Sequence, residues 1–96
     1  MKQDKMETEF YAHLKEQLKD TTSWPSVYLY KFIVPANQGK DEMIQNIFAN
    51  TNAQLKERVS SKGTYVSVSI RVMMPSPDAV IEKYIEVSKV EGVISL

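Results

Sequence analysis

Apolar and polar positions alternate most cleanly over residues 60–71, Ser-Ser-Lys-Gly-Thr-Tyr-Val-Ser-Val-Ser-Ile-Arg, where a turn flows into a strand. Val66, Val68 and Ile70 make one face; Tyr65, Ser67, Ser69 and Arg71 make the other. A period of two with one apolar side is the pattern of a strand that buries that side against a core, and it predicts a strand over 64–74. Just upstream, Ala53, Leu55, Glu57 and Val59 alternate with Gln54, Lys56 and Arg58. That segment is apolar enough for a strand and charged enough for an edge. The turn 60–63 joins the two strands as a hairpin, with Gly63 supplying backbone angles that other residues resist. Residues 27–34, Val-Tyr-Leu-Tyr-Lys-Phe-Ile-Val, are apolar on both faces and rich in aromatic and β-branched types, which predicts a central strand ended by Pro35.

The remaining segments carry a helical period. Met6, Phe10, Leu14 and Leu18 recur every four positions among charged neighbours, predicting an amphipathic helix over 6–19 with a narrow apolar stripe that needs a surface to lie on. Residues 20–26 read as a linker, since Trp24-Pro25 drives the backbone out of helix and towards extended geometry. After the loop 35–39, Ile44, Ile47 and Phe48 take helical spacing, with Asp41 and Glu42 in the first turn where the helix dipole favours acids. Asn50-Thr51-Asn52 closes that helix. Ser76-Pro77-Asp78 places a capping hydroxyl before a proline at the first helical position, and Val80, Tyr84 and Val87 supply the inner stripe of the helix that follows. Glu91-Gly92 ends it, leaving 93–96 as a short terminal strand.

From residue 27 onward the order is strand, helix, strand, strand, helix, strand. Right-handed crossovers fold that order into an α+β, ferredoxin-like βαββαβ sandwich, a four-stranded antiparallel sheet with both helices on one face. The first and third strands then lie in the middle. The chain divides into an N-terminal helix and linker, 1–23, and a ferredoxin-like domain, 24–96.

Composition narrows the function more than the fold. Ninety-six residues support one modest core. Twelve basic against twelve acidic side chains give no net field, so the global attraction behind nucleic-acid or anionic-membrane binding is missing, and only a local patch would supply it. The absence of cysteine excludes disulfides, thiolate metal sites and cysteine nucleophiles. His13, the only histidine, lies between Ala12 and Leu14 on the N-terminal helix; one histidine with no carboxylate at a diagnostic spacing builds no metal site and reads as a surface residue. No metal and no cofactor are expected. No apolar run approaches the roughly 20 residues that span a bilayer, and the first residues lack the apolar stretch of a secretion signal. The default location is the cytoplasm, with no membrane partner.

Ser60-Ser61-Lys62-Gly63-x-Tyr65-x-Ser67-Val68-Ser69-Ile70, with Trp24-Pro25 before the first strand and Tyr30-Lys31 inside it, resembles the YbeD-like family of small bacterial proteins of unknown function. The likeness covers about residues 24–96, and the longer N-terminal helix is less typical of it. The resemblance implies a fold like the ACT regulatory domain, which binds small molecules such as amino acids in many metabolic enzymes. It implies no catalytic motif, and it implies a link with lipoate metabolism through neighbouring lipoate-attachment enzymes. The usual ACT ligand loop follows the first strand, where this chain has Pro35-Ala36-Asn37-Gln38-Gly39 with a single glycine.

Two places are candidates for binding. On the open face of the sheet, Ser67, Ser69 and Arg71 are expected to point away from the helices together with Lys31, because Tyr30, Phe32 and Val34 make the better core set. Two cations and two hydroxyls suit a carboxylate or phosphate, with Tyr65 on the same face; the plain alternative is a solvated sheet surface. Leu29, Ile33 and Met73 share that face and call for cover, either from the N-terminal helix or from a second subunit. The second place is the loop Asn37, Gln38, Gly39 at a helix start, where free N–H groups receive anions, opposed by Asp41 and Glu42. Lys62 reads as turn solvation and Trp24 as a linker aromatic over the end of the core.

No nucleophile, base and orienter occur together, and no phosphate-binding glycine loop is present. The reading is therefore a non-catalytic regulatory or adaptor domain, acting by contact with a partner protein or by sensing a small metabolite. The alternatives are a small enzyme using Lys31 or Tyr65 in a site shared between subunits, and an RNA-binding ferredoxin-like module. Lys31 and Ile33 stand where base-stacking aromatics are needed on the central strand, which disfavours nucleic acid. The apolar C-terminal edge and the N-terminal stripe favour a homodimer.

Overall fold

The computed structural model describes residues 5–96, with side chains from residue 9 onward. The elements run α1 (Lys5–Thr21), β1 (Ser26–Pro35), α2 (Lys40–Ile47), β2 (Gln54–Val59), β3 (Tyr65–Met74), α3 (Pro77–Ser88) and β4 (Ile94–Ser95). The sheet order is β2-β3-β1-β4, every neighbouring pair antiparallel. This is the expected ferredoxin-like arrangement, with the first and third strands central and an added N-terminal helix.

The alternation along β3 sorts its side chains as expected. Val66, Val68, Ile70, Val72 and Met74 are buried, while Tyr65, Arg71 and Met73 are exposed. Tyr30, Phe32 and Val34 from β1 complete the inner face, and Ile44, Phe48, Val80, Val87 and Val90 press down from the helix layer. Aromatic packing concentrates at the centre: the Tyr30 ring lies 5.1 Å from Phe48 and 4.9 Å from Tyr84 between centroids. Tyr30 also donates its hydroxyl to the Val80 carbonyl at 3.0 Å, so this buried polar group is satisfied.

Local signals explain the element ends. The Ser76 hydroxyl accepts from the Ala79 amide at 3.2 Å and caps α3, with Pro77 in its first turn. In the hairpin the Ser60 hydroxyl accepts from the amides of Thr64 and Tyr65, and Gly63 takes φ +72°, a left-handed conformation that side chains disfavour. Gly92 is constrained twice over. Its φ is +84°, and an added Cβ would stand 3.0 Å from Cγ of Pro35, so only glycine lets the chain pass the end of β1 into β4. Asn52, also at positive φ (60°), turns the chain into β2. The helix expected to end at 19 continues to Thr21, carried on through Asp20 by local hydrogen bonding such as that from the Thr21 hydroxyl to the Gln17 carbonyl, 2.7 Å.

α1 corrects one expectation about cover. It lies along α3, in the helix layer, where Tyr11 stacks on Tyr84 with 6.5 Å between centroids and Lys15 pairs with Asp78 at 2.6 Å. The hydrogen bond from Trp24 Nε1 to the Leu18 carbonyl, 3.2 Å, ties its end to the start of the domain. The N-terminal helix therefore does not roof the open face of its own sheet. Its inward stripe also differs from the simple four-residue repeat: Tyr11, Leu14, Lys15 and Leu18 are half-buried, whereas Phe10 is 61% exposed. Tyr11 displaces Phe10 because its ring finds an aromatic partner on α3. Met6 lies outside the described side chains.

Candidate functional site

Register fixes which side chains share the open face. Residues directly opposite in paired strands point to the same side. Leu29, Lys31 and Ile33 of β1 face Arg71, Ser69 and Ser67 of β3, which in turn face Gln54, Lys56 and Arg58 of β2. Ile94 of β4 continues the row beside Ile33. Lys31, Ser67, Ser69 and Arg71 are thus brought together, as the alternation predicted. Tyr65 shares the face but stands at its far end, opposite Pro35.

The structure adds two cations that the sequence pattern left unassigned. Lys56 and Arg58 also project from the open side, so four of the twelve basic residues stand on this one surface. Among the described residues none of the four is in an ion pair, in contrast to Lys15, Lys19 and Lys83. The described acidic side chains lie elsewhere, on α1 (Glu9, Glu16, Asp20), α2 (Asp41, Glu42), α3 (Asp78, Glu82, Glu86), the helix-facing side of β2 (Glu57) and the final turn (Glu91). A net charge of zero therefore hides a division between an acid-rich helix layer and an open sheet face whose charged side chains are all basic. The clue was available in the alternation of β2, whose polar set Gln54, Lys56, Arg58 only acquires meaning once its register with Arg71, Ser69 and Ser67 is known.

The face has relief as well as charge. Ser67 and Ser69 are short and form the floor of an open depression of about 810 Å³, with Lys31 on one bank and Lys56 and Arg58 on the other. Leu29, Gln54, Lys56, Ser69 and Arg71 border the adjoining hollow. Apolar side chains flank the cationic ones. Leu29 is 67% exposed, Met73 59% and Ile94 51%, unusually high for large apolar residues gathered on one face.

The loop holding Asn37, Gln38 and Gly39 is a separate place at the end of the helix layer. Asn37 (φ 62°) and Gly39 (φ 71°) both adopt left-handed backbone, and Gly39 caps α2 without a side-chain hydrogen bond. Asn37 and Gly39 border a hollow with Asp41, Glu42 and Glu57. Desolvation holds the Glu57 carboxyl above its usual range, against the amide of Gln45, which donates to it, and the nearby Asp41 and Glu42 push it in the same upward direction. Three carboxylates at this helix start oppose an anion more strongly than the two foreseen from sequence. The structure does not bring this loop together with the open-face residues.

Other singled-out residues take ordinary places. His13 is exposed, Trp24 is half-buried against the core, and Tyr84 packs inward with its hydroxyl 2.8 Å from that of Tyr28. Burial raises the pKa of Tyr84, and its hydrogen bond with Tyr28 raises it further. Among the described residues no three His, Cys, Asp or Glu side chains converge as a metal site, and no helix is long and apolar enough to cross a membrane.

Comparison with known proteins agrees with this architecture. The family described as "Protein of unknown function (DUF493)" matches residues 19–96. The chain belongs to that family. Similar members include a UPF0250 protein of Pasteurella multocida, 32% identical over 81 residues that cover 80% of this chain and 91% of the relative. A UPF0250 protein of Haemophilus ducreyi is 29% identical over 83 residues, covering 80% and 82%. These relatives make the chain YbeD-like. Among solved structures, the ACT domain from GTP pyrophosphokinase of Chlorobium tepidum superimposes with a TM-score of 0.53 at 13% identity, covering 74% of this chain and all of that domain. The DUF493 chain thus has an ACT-like fold in a family of unknown function.

Proposed function

We propose that this DUF493 protein is a non-catalytic regulatory or adaptor domain that works by contact with another protein through the open face of its sheet. One observation carries the reading: the N-terminal helix packs on α3, leaving Leu29, Met73 and Ile94 together on an uncovered surface. Apolar side chains grouped this way mark an interaction surface more often than a solvated one. The ACT-like fold supports a regulatory role by analogy of fold alone. Among the described residues the open face offers cations and hydroxyls, but no histidine or carboxylate to serve as a general base beside them. The link with lipoate metabolism implied by the family likeness makes lipoate-attachment enzymes the first partners to try in the cytoplasm.

The test is recovery of a specific complex from the native cell with the full chain and two variants. Leu29→Ser with Met73→Ser is expected to abolish it, while Glu82→Gln on the helix layer leaves it intact. A complex indifferent to the open-face variant and lost with Glu82→Gln would overturn the reading.

A further inference from the structure

The concentration of cations on β2 and β3 beside the apolar Leu29 and Ile33 of β1 goes beyond the existence of a partner and specifies its chemistry. Across the sheet, Lys56 and Arg58 lie on β2 and Arg71 on β3; β1 carries Leu29 and Ile33 with Lys31 between them along the strand, and Ile94 of β4 lies beside Ile33. Strands are spaced by about 4.8 Å, so Lys31 and Lys56, one strand removed from each other across Ser69, have backbones about 10 Å apart. Along β2, Lys56 and Arg58 are separated by about 6.8 Å. Basic side chains gathered at such spacings with no acidic side chain among them repel one another, and a partner bearing carboxylates relieves that repulsion.

The dimensions select the shape of the partner. An α-helix with its side chains is about 10–12 Å across, close to the roughly 10 Å between β2, which carries Lys56 and Arg58, and β1, which carries Leu29 and Ile33. A helix laid along β3 puts one flank over Lys56 and Arg58 on β2 and the other over Leu29 and Ile33 on β1. The short Ser67 and Ser69 beneath admit its central side chains. β1 and β3 are each ten residues long, about 33 Å, which accommodates a helix of about 20 residues. An RNA strand fits less well, because Leu29, Ile33 and Ile94 are aliphatic and the exposed Tyr65 ring stands at the far end of the face with no second ring beside it among the described residues.

We propose that the occupant of the open face is an acidic amphipathic helix of a partner protein, its carboxylates set against Lys56, Arg58 and Arg71 and its apolar flank against Leu29 and Ile33. This inference rests on the open face being the working surface. It is tested by fluorescence anisotropy of the full chain with a labelled designed helix, glutamate along one flank and leucine along the other. Parallel probes are the same helix with lysine for glutamate, and single-stranded poly-uridine. The acidic helix binds, its affinity falling at least about fivefold between about 50 mM and about 300 mM salt, and Lys56→Glu with Arg58→Glu weakens it at least about tenfold. Circular dichroism confirms that the variant remains folded. Equal binding of the lysine helix, tighter binding of poly-uridine, or no binding of the acidic helix overturns the inference. So does self-association of the full chain that buries the face, seen by light scattering. If the acidic helix fails while a native complex still depends on Leu29 and Met73, only the partner chemistry falls; if that dependence also fails, the open-face reading falls with it.

Discussion

Lys31 and Ser69 stand directly opposite one another in the two central strands, and Lys56 stands opposite Ser69 on its other side. This row places a short hydroxyl between two ammonium groups that form no ion pair among the described residues, and it makes the centre of the open face a cationic trough. Filling the trough with a side chain of partner size discriminates shape from charge. Ser69→Leu preserves every cation but raises the floor, and it is expected to weaken the native complex at least about tenfold while leaving the thermal midpoint nearly unchanged, as judged by calorimetry.

The Tyr28 and Tyr84 hydroxyls, 2.8 Å apart, couple β1 to α3. Tyr84→Phe strands a half-buried hydroxyl on Tyr28 and is expected to cost about 1–1.5 kcal/mol. The double replacement of Tyr28 and Tyr84 by Phe leaves no unpaired group and is expected to cost less than the sum of the single changes. Urea unfolding with an unchanged slope measures both.

Phe32 is fully buried between Tyr30 and the helix layer. Phe32→Ala is expected to destabilise by about 3–5 kcal/mol, a large share of the stability of a domain this small. The same urea titration reads it directly, and loss of less than about 1 kcal/mol would contradict the packing described.

The attachment of α1 has a pH dependence. The hydrogen bond from Lys15 holds the Asp78 carboxyl below its usual range, and the same bond raises the Lys15 ammonium. A depressed acid contributes stability above its unfolded value of about 4 and loses it as pH falls through the folded value. The raised lysine contributes below about 10.4 and loses it as pH rises through its own folded value. Emission of Trp24, the sole tryptophan, whose indole bonds to the Leu18 carbonyl at the end of α1, reports detachment. The expected result is a red shift below pH about 4 that is missing in Asp78→Asn. A shortened chain of residues 24–96 tests the proposed division at residue 23: it is expected to fold, by circular dichroism, and to keep partner binding.

Much of this architecture was legible in the sequence because each signal is local. The alternation over Tyr65–Arg71, the Ser76-Pro77 start and the glycine in the hairpin dictate elements whatever surrounds them, and right-handed crossovers leave few ways to join those elements. The open-face set Lys31, Ser67, Ser69 and Arg71 was legible for the same reason. Lys56 and Arg58 were not, since an edge strand with polar residues reads as ordinary solvation until its pairing register is known. The site of α1 was equally out of reach: its stripe specifies that it packs, whereas Tyr84 and Asp78, far away in sequence, specify where.

The most direct measurement is photocrosslinking in the native cell, with a photoreactive amino acid placed at position 29 on the open face or at position 82 on the helix layer. Position 29 is predicted to yield a discrete covalent adduct with one protein, which is lost when Lys56→Glu and Arg58→Glu are introduced together, while position 82 yields none. Adducts from position 82 alone, or none from position 29, would contradict the assignment of the open face as the working surface.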